Sequence, residues 1–246
     1  NYATGKIYDP EESIALHLHH EETQYAIPTE FAMINRLEYR AYVKDILVHD
    51  CDSAWDEQTV LANVTRSLDT EDMRRGASSV RFVLATAAGT GILSSKAISA
   101  LDLREYTHIE AWVKCTIATA AGDFRIQLDD TAALASALEN LQIPALVANT
   151  WTYVRLALAT PALDSAIISV GAHQTVDVGP CTLWIDEIRA VKQYTEVWKR
   201  FDPFQWHIDK EARNIIFPGN AMYALLKISG GDNPALMTAD STTCEV

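Results

Sequence analysis

Apolar and polar residues alternate in short runs through the middle of the chain. "SSVRFVLA", "GILSSKAI", "HIEAWVKCTI", "DFRIQLDD", "TWTYVRLAL", "AIISVGAHQTV" and "CTLWIDEIRAV" follow one another between residues 78 and 191, separated by Gly, Asp, Asn and Pro. Runs of this length with a period of two predict strands, and several in series predict an antiparallel sandwich or barrel. "ALASALENL", residues 133 to 141, reads equally as a short helix or as a loop between strands.

The flanks differ in composition. "YAIPTEFAMINRLEYRAY", residues 25 to 42, combines a Pro-containing turn with apolar Phe31, Met33 and Leu37. In residues 198 to 231, "FQWHI" and "NIIF" flank the polar turn "DKEARN" and predict a hairpin. Both flanks are richer in Trp, Tyr, Phe and Pro than the Ala/Thr/Val-rich middle. A domain can be inserted where two chain segments lie close together on a surface. The expected organisation is therefore all-β: residues 49–193 form a sandwich inserted into a small β-rich domain built from 1–48 and 194–246, with joints near His49 and Gln193.

One strand poses a question of its own. In "CTLWIDEIRAV" the acids Asp186 and Glu187 stand among Leu183, Trp184, Ile185 and Ile188. A strand tolerates carboxylates there only if they face water, find donors or hold a metal, because a lone buried charge is costly.

The bulk numbers narrow the functional classes. Of 246 residues, 48% are hydrophobic, enough for a sizeable core. Twenty basic against thirty-three acidic residues give a formal charge of −13. Such a surface repels nucleic acid and anionic membrane, so proteins, neutral glycans or cations are the expected partners. The four cysteines, Cys51, Cys115, Cys181 and Cys244, form no Cys-x-x-Cys pair and read as buried free thiols. No apolar run approaches the roughly 20 residues of a membrane span, and no secretory leader is present. The start at Asn1 without methionine and the stop after "STTCEV" suggest a portion of something longer.

Catalytic signatures are missing. The sequence has no G-x-S-x-G elbow, H-E-x-x-H helix, P-loop, G-x-G-x-x-G fingerprint or EF-hand spacing. A glycosidase needs two carboxyls about 5–10 Å apart across a cleft, and Asp129 with Asp130 cannot be that pair, since strand neighbours point to opposite faces. The chain is therefore expected not to be an enzyme. In "ALHLHH", His17 and His19 share one strand face with His20 opposite, but no third metal ligand is identifiable. An aromatic platform for sugar would draw on Trp112, Trp151, Tyr153 or Trp184, which in alternating strands read as core. Trp55, beside Asp56 and Glu57 near the first loop, is the candidate expected to be exposed for glycan.

Two resemblances refine this. The run from about Leu47 to Val191 resembles jelly-roll carbohydrate-binding modules and galactose-binding-like families through "VHDCDSAWDE", "RRGASSVRFV", "HIEAWVKC" and "TLWIDEIRAV", in that order. That resemblance implies a structural calcium ion held by Asp52 and Asp186, with Glu187 turned to solvent, although Asp52 replaces the more usual Glu. Calcium takes several oxygen ligands at once, carbonyls included.

The flanks "AIPTEFAMINRLEYR", "WHIDKEARNIIF" and "YALLKISGGDNPALMTADSTTCEV" resemble virion structural proteins of tailed bacteriophages, in particular neck or head-to-tail adaptor proteins. This second resemblance implies location in the virion, with other virion proteins and symmetry copies of the chain as partners. The expected function is a structural component of the neck region with a projecting jelly roll. The alternative is a carbohydrate-binding module, or a capsid decoration or attachment protein that meets cell-surface glycan.

Overall fold

The computed structural model describes residues 13–18, 24–27, 31–41, 44–58, 60–192, 197–202, 205–217 and 224–232. Among them the chain is built of strands, with short 3-10 turns and no α-helix. It divides into two compact units, one from residues 1–42 with 194–246 and one from 43–193.

The larger unit begins with β4 (Asp45–His49) and continues through β5 (Val64–Asp69), β6 (Ser79–Leu84), β7 (Gly91–Leu101), β8 (His108–Cys115), β9 (Phe124–Asp129), β10 (Glu139–Gln142), β11 (Thr152–Ala157), β12 (Ile167–Gln174) and β13 (Cys181–Val191). One sheet runs β10-β9-β12-β7 and the other β11-β8-β13-β6-β5, with β4 added on β13. All of these pairings are antiparallel.

Alternation decides the layering. Phe124, Ile126 and Leu128 of β9 face inward, as do Ile109, Ala111 and Val113 of β8, and each is at most 1% exposed. With Phe82, Leu183, Ile185 and Val170 they form one core between the two sheets. Close packing of about thirty such side chains is what holds a sandwich of this type together. The fold is all-β, the sandwich that the period-two runs predict, and of the jelly-roll-like kind that the resemblance implies.

β13 changes partners along its length. Cys181–Ile185 pair with β6, whereas Ile188–Val191 pair with β4. The exchange falls at a bulge where Glu187 has φ 45°. Because β4 belongs to this sheet, the sandwich starts several residues before the joint expected at His49.

The 133–141 segment is neither a helix nor a simple loop. A 3-10 turn over Ala132–Leu134 leads into β10, and Ala133 and Leu134 both adopt positive φ, which stops a helix from propagating.

The other unit has β1 (Ser13–Leu18), β17 (Ala224–Asp232), β3 (Phe31–Ala41) and β14 (Lys199–Arg200) in one sheet, and β15 (His207–Asp209), β16 (Asn214–Ile216) and β2 (Gln24–Ala26) in another. β15 and β16 form the hairpin expected around the "DKEARN" turn. Leu37, Phe201, Ile215, Phe217, Leu226 and Ile228 make its core, with the Phe201 and Phe217 rings 5.0 Å apart. The Phe31 and Met33 side chains, His19, His20 and Cys244 lie outside the described residues, as does the side chain of His17.

Candidate functional site

The partner exchange on β13 explains its acidic pair. Beyond the bulge, β4 ends at His49 and the chain runs on through Cys51 and Asp52, while β6 starts at Ser79 on the other side of the gap. The loop between β5 and β6 fills this gap with backbone N–H groups that no strand can satisfy. Asp186, fully buried, accepts through Oδ2 from the N–H groups of Arg74 at 2.6 Å and Arg75 at 2.8 Å. Asp52 accepts through Oδ1 from those of Ala77 at 2.8 Å and Ser78 at 2.7 Å.

Between these two grips lies Gly76, with φ +63°. A Cβ there would stand 2.5 Å from Asp52 Oδ2, so any other residue must adopt a strained positive φ and displace the carboxylate that grips the turn.

Burial first of all lifts the Asp186 carboxyl to about 6, against the pull of the two N–H donors. Its Oδ1 is buried without a hydrogen-bond partner. Such an atom suits a cation or a proton, so this part of the donor set is compatible with the calcium expectation. Among the described residues, however, no three His, Cys, Asp or Glu side chains gather as a metal site. Glu187 does not turn to open solvent: its side chain is 11% exposed and lies 3.5 Å from Arg75 Nε and 3.7 Å from Arg189 Nη1.

Trp55 is not a platform for ligand. It is 1% exposed, packs edge-on to Phe82 with ring centroids 5.8 Å apart, and its indole N–H reaches Nδ1 of His49 at 3.4 Å. Of the acidic neighbours that suggested exposure, only Asp56 faces outward, where it meets Lys96; Glu57 is half-buried and accepts from the N–H of Ala133 and the hydroxyl of buried Ser169. The loop thus drops the indole into the core.

Trp112 and Trp184 sit on the outer face of the six-stranded sheet, yet they too are covered, at 7% and 8% exposure. Arg74 lies 4.3 Å over the Trp112 ring, and the Trp184 indole donates to Asp69 at 3.0 Å. Trp151, half-buried, donates to Asp72 at 2.8 Å.

One open feature of the sandwich is a cleft of about 370 Å³ between the edge strands β10 and β11. Asn140, Leu141, Gln142 and Pro144 form one wall, and Arg155 and Leu156 belong to the other. Strand alternation sends Leu141 to the core and leaves Asn140 and Gln142 outward. Asn140 accepts from Gln127 Nε2 at 2.5 Å, and the Arg155 guanidinium lies 3.4 Å from buried Glu110. Both contacts fix planar polar groups at the rim. No carboxylate lines the cleft. Sequence reasoning missed this site because Asn140, Gln142 and Arg155 belong to no motif, and their meeting depends on which two strands end up at the edges.

No family model matches the chain, and no curated protein matches it. Solved structures similar to it include carbohydrate-binding modules. One is the family 11 module of a cellulosomal cellulase of Clostridium thermocellum, at 10% identity, covering 62% of this chain and 97% of that one, with a TM-score of 0.44. Another is a xylan-binding domain of family 22 from Paenibacillus barcinonensis, at 17% identity, 63% and 98% coverage and a TM-score of 0.36. A third is a family 6 module from Clostridium stercorarium in complex with cellobiose, at 15% identity, 63% and 96% coverage and a TM-score of 0.36.

Proposed function

We propose that the sandwich of residues 43–193 is a non-catalytic binding module for a neutral glycan, which it takes along the cleft between β10 and β11. The observation that carries this reading is the composition of that cleft. Planar polar groups on Asn140, Gln142 and Arg155 stand beside the exposed apolar surface of Pro144, Ala157 and Ala159. A sugar ring offers the same mixture, with hydroxyls at its edge and C–H groups on its faces. A volume of about 370 Å³ lies within the range of small-ligand sites, roughly 300–1,000 Å³. The formal charge of −13 favours a neutral ligand over an anionic one. With no carboxylate in its lining, the cleft has no acid and base of its own to cleave what it holds.

Asp52 and Asp186 serve this module by fixing the loop of residues 74–78. A calcium ion at Asp186 Oδ1 is part of the proposal, supported by that oxygen's lack of a partner. No structural observation favours the neck-protein reading of the flanks.

Affinity electrophoresis through gels containing soluble β-glucan, xylan or mannan tests the glycan reading. The parent is expected to be retarded by at least one of them, and an Asn140→Ala/Gln142→Ala double variant of unchanged melting temperature is expected to run free. Equal mobility of the parent in every gel would overturn the assignment.

A further inference from the structure

We infer that the sandwich has a second, separate cation site, in which Glu139 and Asp164 hold a hard divalent ion such as calcium at the end of the core where β10 begins. Asp164 is fully buried, and neither of its carboxylate oxygens has a hydrogen-bond partner. Its backbone is satisfied, the N–H donating to Pro161 and the carbonyl accepting from Leu103 at 2.8 Å, so the residue is firmly placed and only its charge is unanswered.

Glu139 is equally buried. It shares the inward face of β10 with Leu141, which puts a second carboxylate inside the sandwich. Its Oε2 accepts from the N–H of Ala159 at 2.8 Å, and its Oε1 accepts from the N–H of Thr160 at 2.6 Å and the hydroxyl at 3.1 Å. Those bonds draw the turn that carries Asp164 onto Glu139. Among the described residues neither carboxylate has an ion-pair partner.

Buried carboxylates without a cation are rare because desolvation penalises each charge and like charges penalise each other. The Asp164 carboxyl is accordingly pushed up to about 6, by burial first and then by Glu139 and Asp130. A proton would neutralise Asp164 alone and leave the buried charge of Glu139 in place. A cation answers both oxygens of Asp164 and the charge of Glu139 together. The donor set is oxygen only, and two carboxylates with turn carbonyls and water suit calcium, whose coordination is large and adaptable. The site shares no residue with Asp52 and Asp186, and it does not rest on the glycan reading.

Native mass spectrometry of chelator-treated protein, with calcium added back, counts the ions bound by the parent, Asp164→Asn, Glu139→Gln and Asp186→Asn. Asp164→Asn and Glu139→Gln are each expected to bind one ion fewer than the parent, while Asp186→Asn retains the ion that those variants lose. A parent that binds no calcium, or an Asp164→Asn protein that binds as many ions as the parent, would overturn the inference. Should Asp164→Asn fail to fold, anomalous scattering from calcium-soaked parent crystals decides: a peak beside Asp164 supports the site, and its absence removes it.

Discussion

Asp52 and Asp186 grip opposite ends of one turn, Asp186 through the N–H groups of Arg74 and Arg75 and Asp52 through those of Ala77 and Ser78. One carboxylate comes from just after the first strand of the sandwich and the other from its last, so the turn reports on whether both ends are in place.

Gly76 has no room for a methyl group between these grips. Gly76→Ala is expected to destabilise the sandwich by about 1–3 kcal/mol, through positive φ and collision with Asp52. Urea unfolding of parent and variant measures the difference, and a change below about 0.5 kcal/mol would refute the clamp.

Asp186 can act as a hydrogen-bond acceptor or as a cation ligand, and two substitutions separate the roles. Asp186→Ala strips the acceptor from two N–H groups, at about 1–3 kcal/mol for each one left unsatisfied. Asp186→Asn retains one oxygen and is expected to fall well short of that loss without calcium. If calcium raises the melting temperature of the parent but not of Asp186→Asn, Oδ1 is a ligand. An equal rise in both confines Asp186 to holding the turn.

His49 ties stability to pH. Its Nδ1 accepts from the N–H of Cys51 at 2.8 Å, which requires that nitrogen to be unprotonated. Burial holds the ring below its ordinary 6.5, with Lys96 acting in the same direction and Asp50 and Asp52 against it. The unfolded chain therefore takes up the proton first. The stability due to neutral His49 is complete above 6.5 and is lost as pH falls below it. His108 and His173 are lowered by burial too and add to the same slope. His49→Asn should show a shallower fall in melting temperature between about pH 7 and pH 5 than the parent.

Trp55 separates core from ligand surface. Trp55→Ala should cost about 3–5 kcal/mol, the range for removing a fully buried large aromatic. Where folded, the variant should still be retarded by any glycan that retards the parent. Loss of binding at unchanged stability would return the indole to the ligand surface.

Much of the sandwich was legible because period-two alternation is a local signal: β6, β8, β9, β11, β12 and β13 all lie within runs that the sequence marks as strands. The resemblance offered Asp52 and Asp186 as calcium ligands; what the structure shows of the pair is that both accept from N–H groups of the same turn. Trp55 was misread because exposure was inferred from its neighbours Asp56 and Glu57, whereas a loop can send adjacent side chains in opposite directions. Glu139 and Asp164 gave no signal. Each is an ordinary acid in an unremarkable stretch, and their burial is set by strands and turns distant in sequence. The cleft was hidden for the same reason, since edge position is a property of the sheet order.

The exchange of partners along β13 leads beyond the acidic pair. By pairing its second half with β4, the last strand brings Val191 opposite Asp45, and the N–H of Lys192 then meets the carbonyl of Lys44 at 2.8 Å. Entry and exit of the chain are thereby zipped side by side, so a pull on the two ends of the sandwich in opposite directions loads the β4–β13 ladder from its Asp45–Val191 end before it reaches the core.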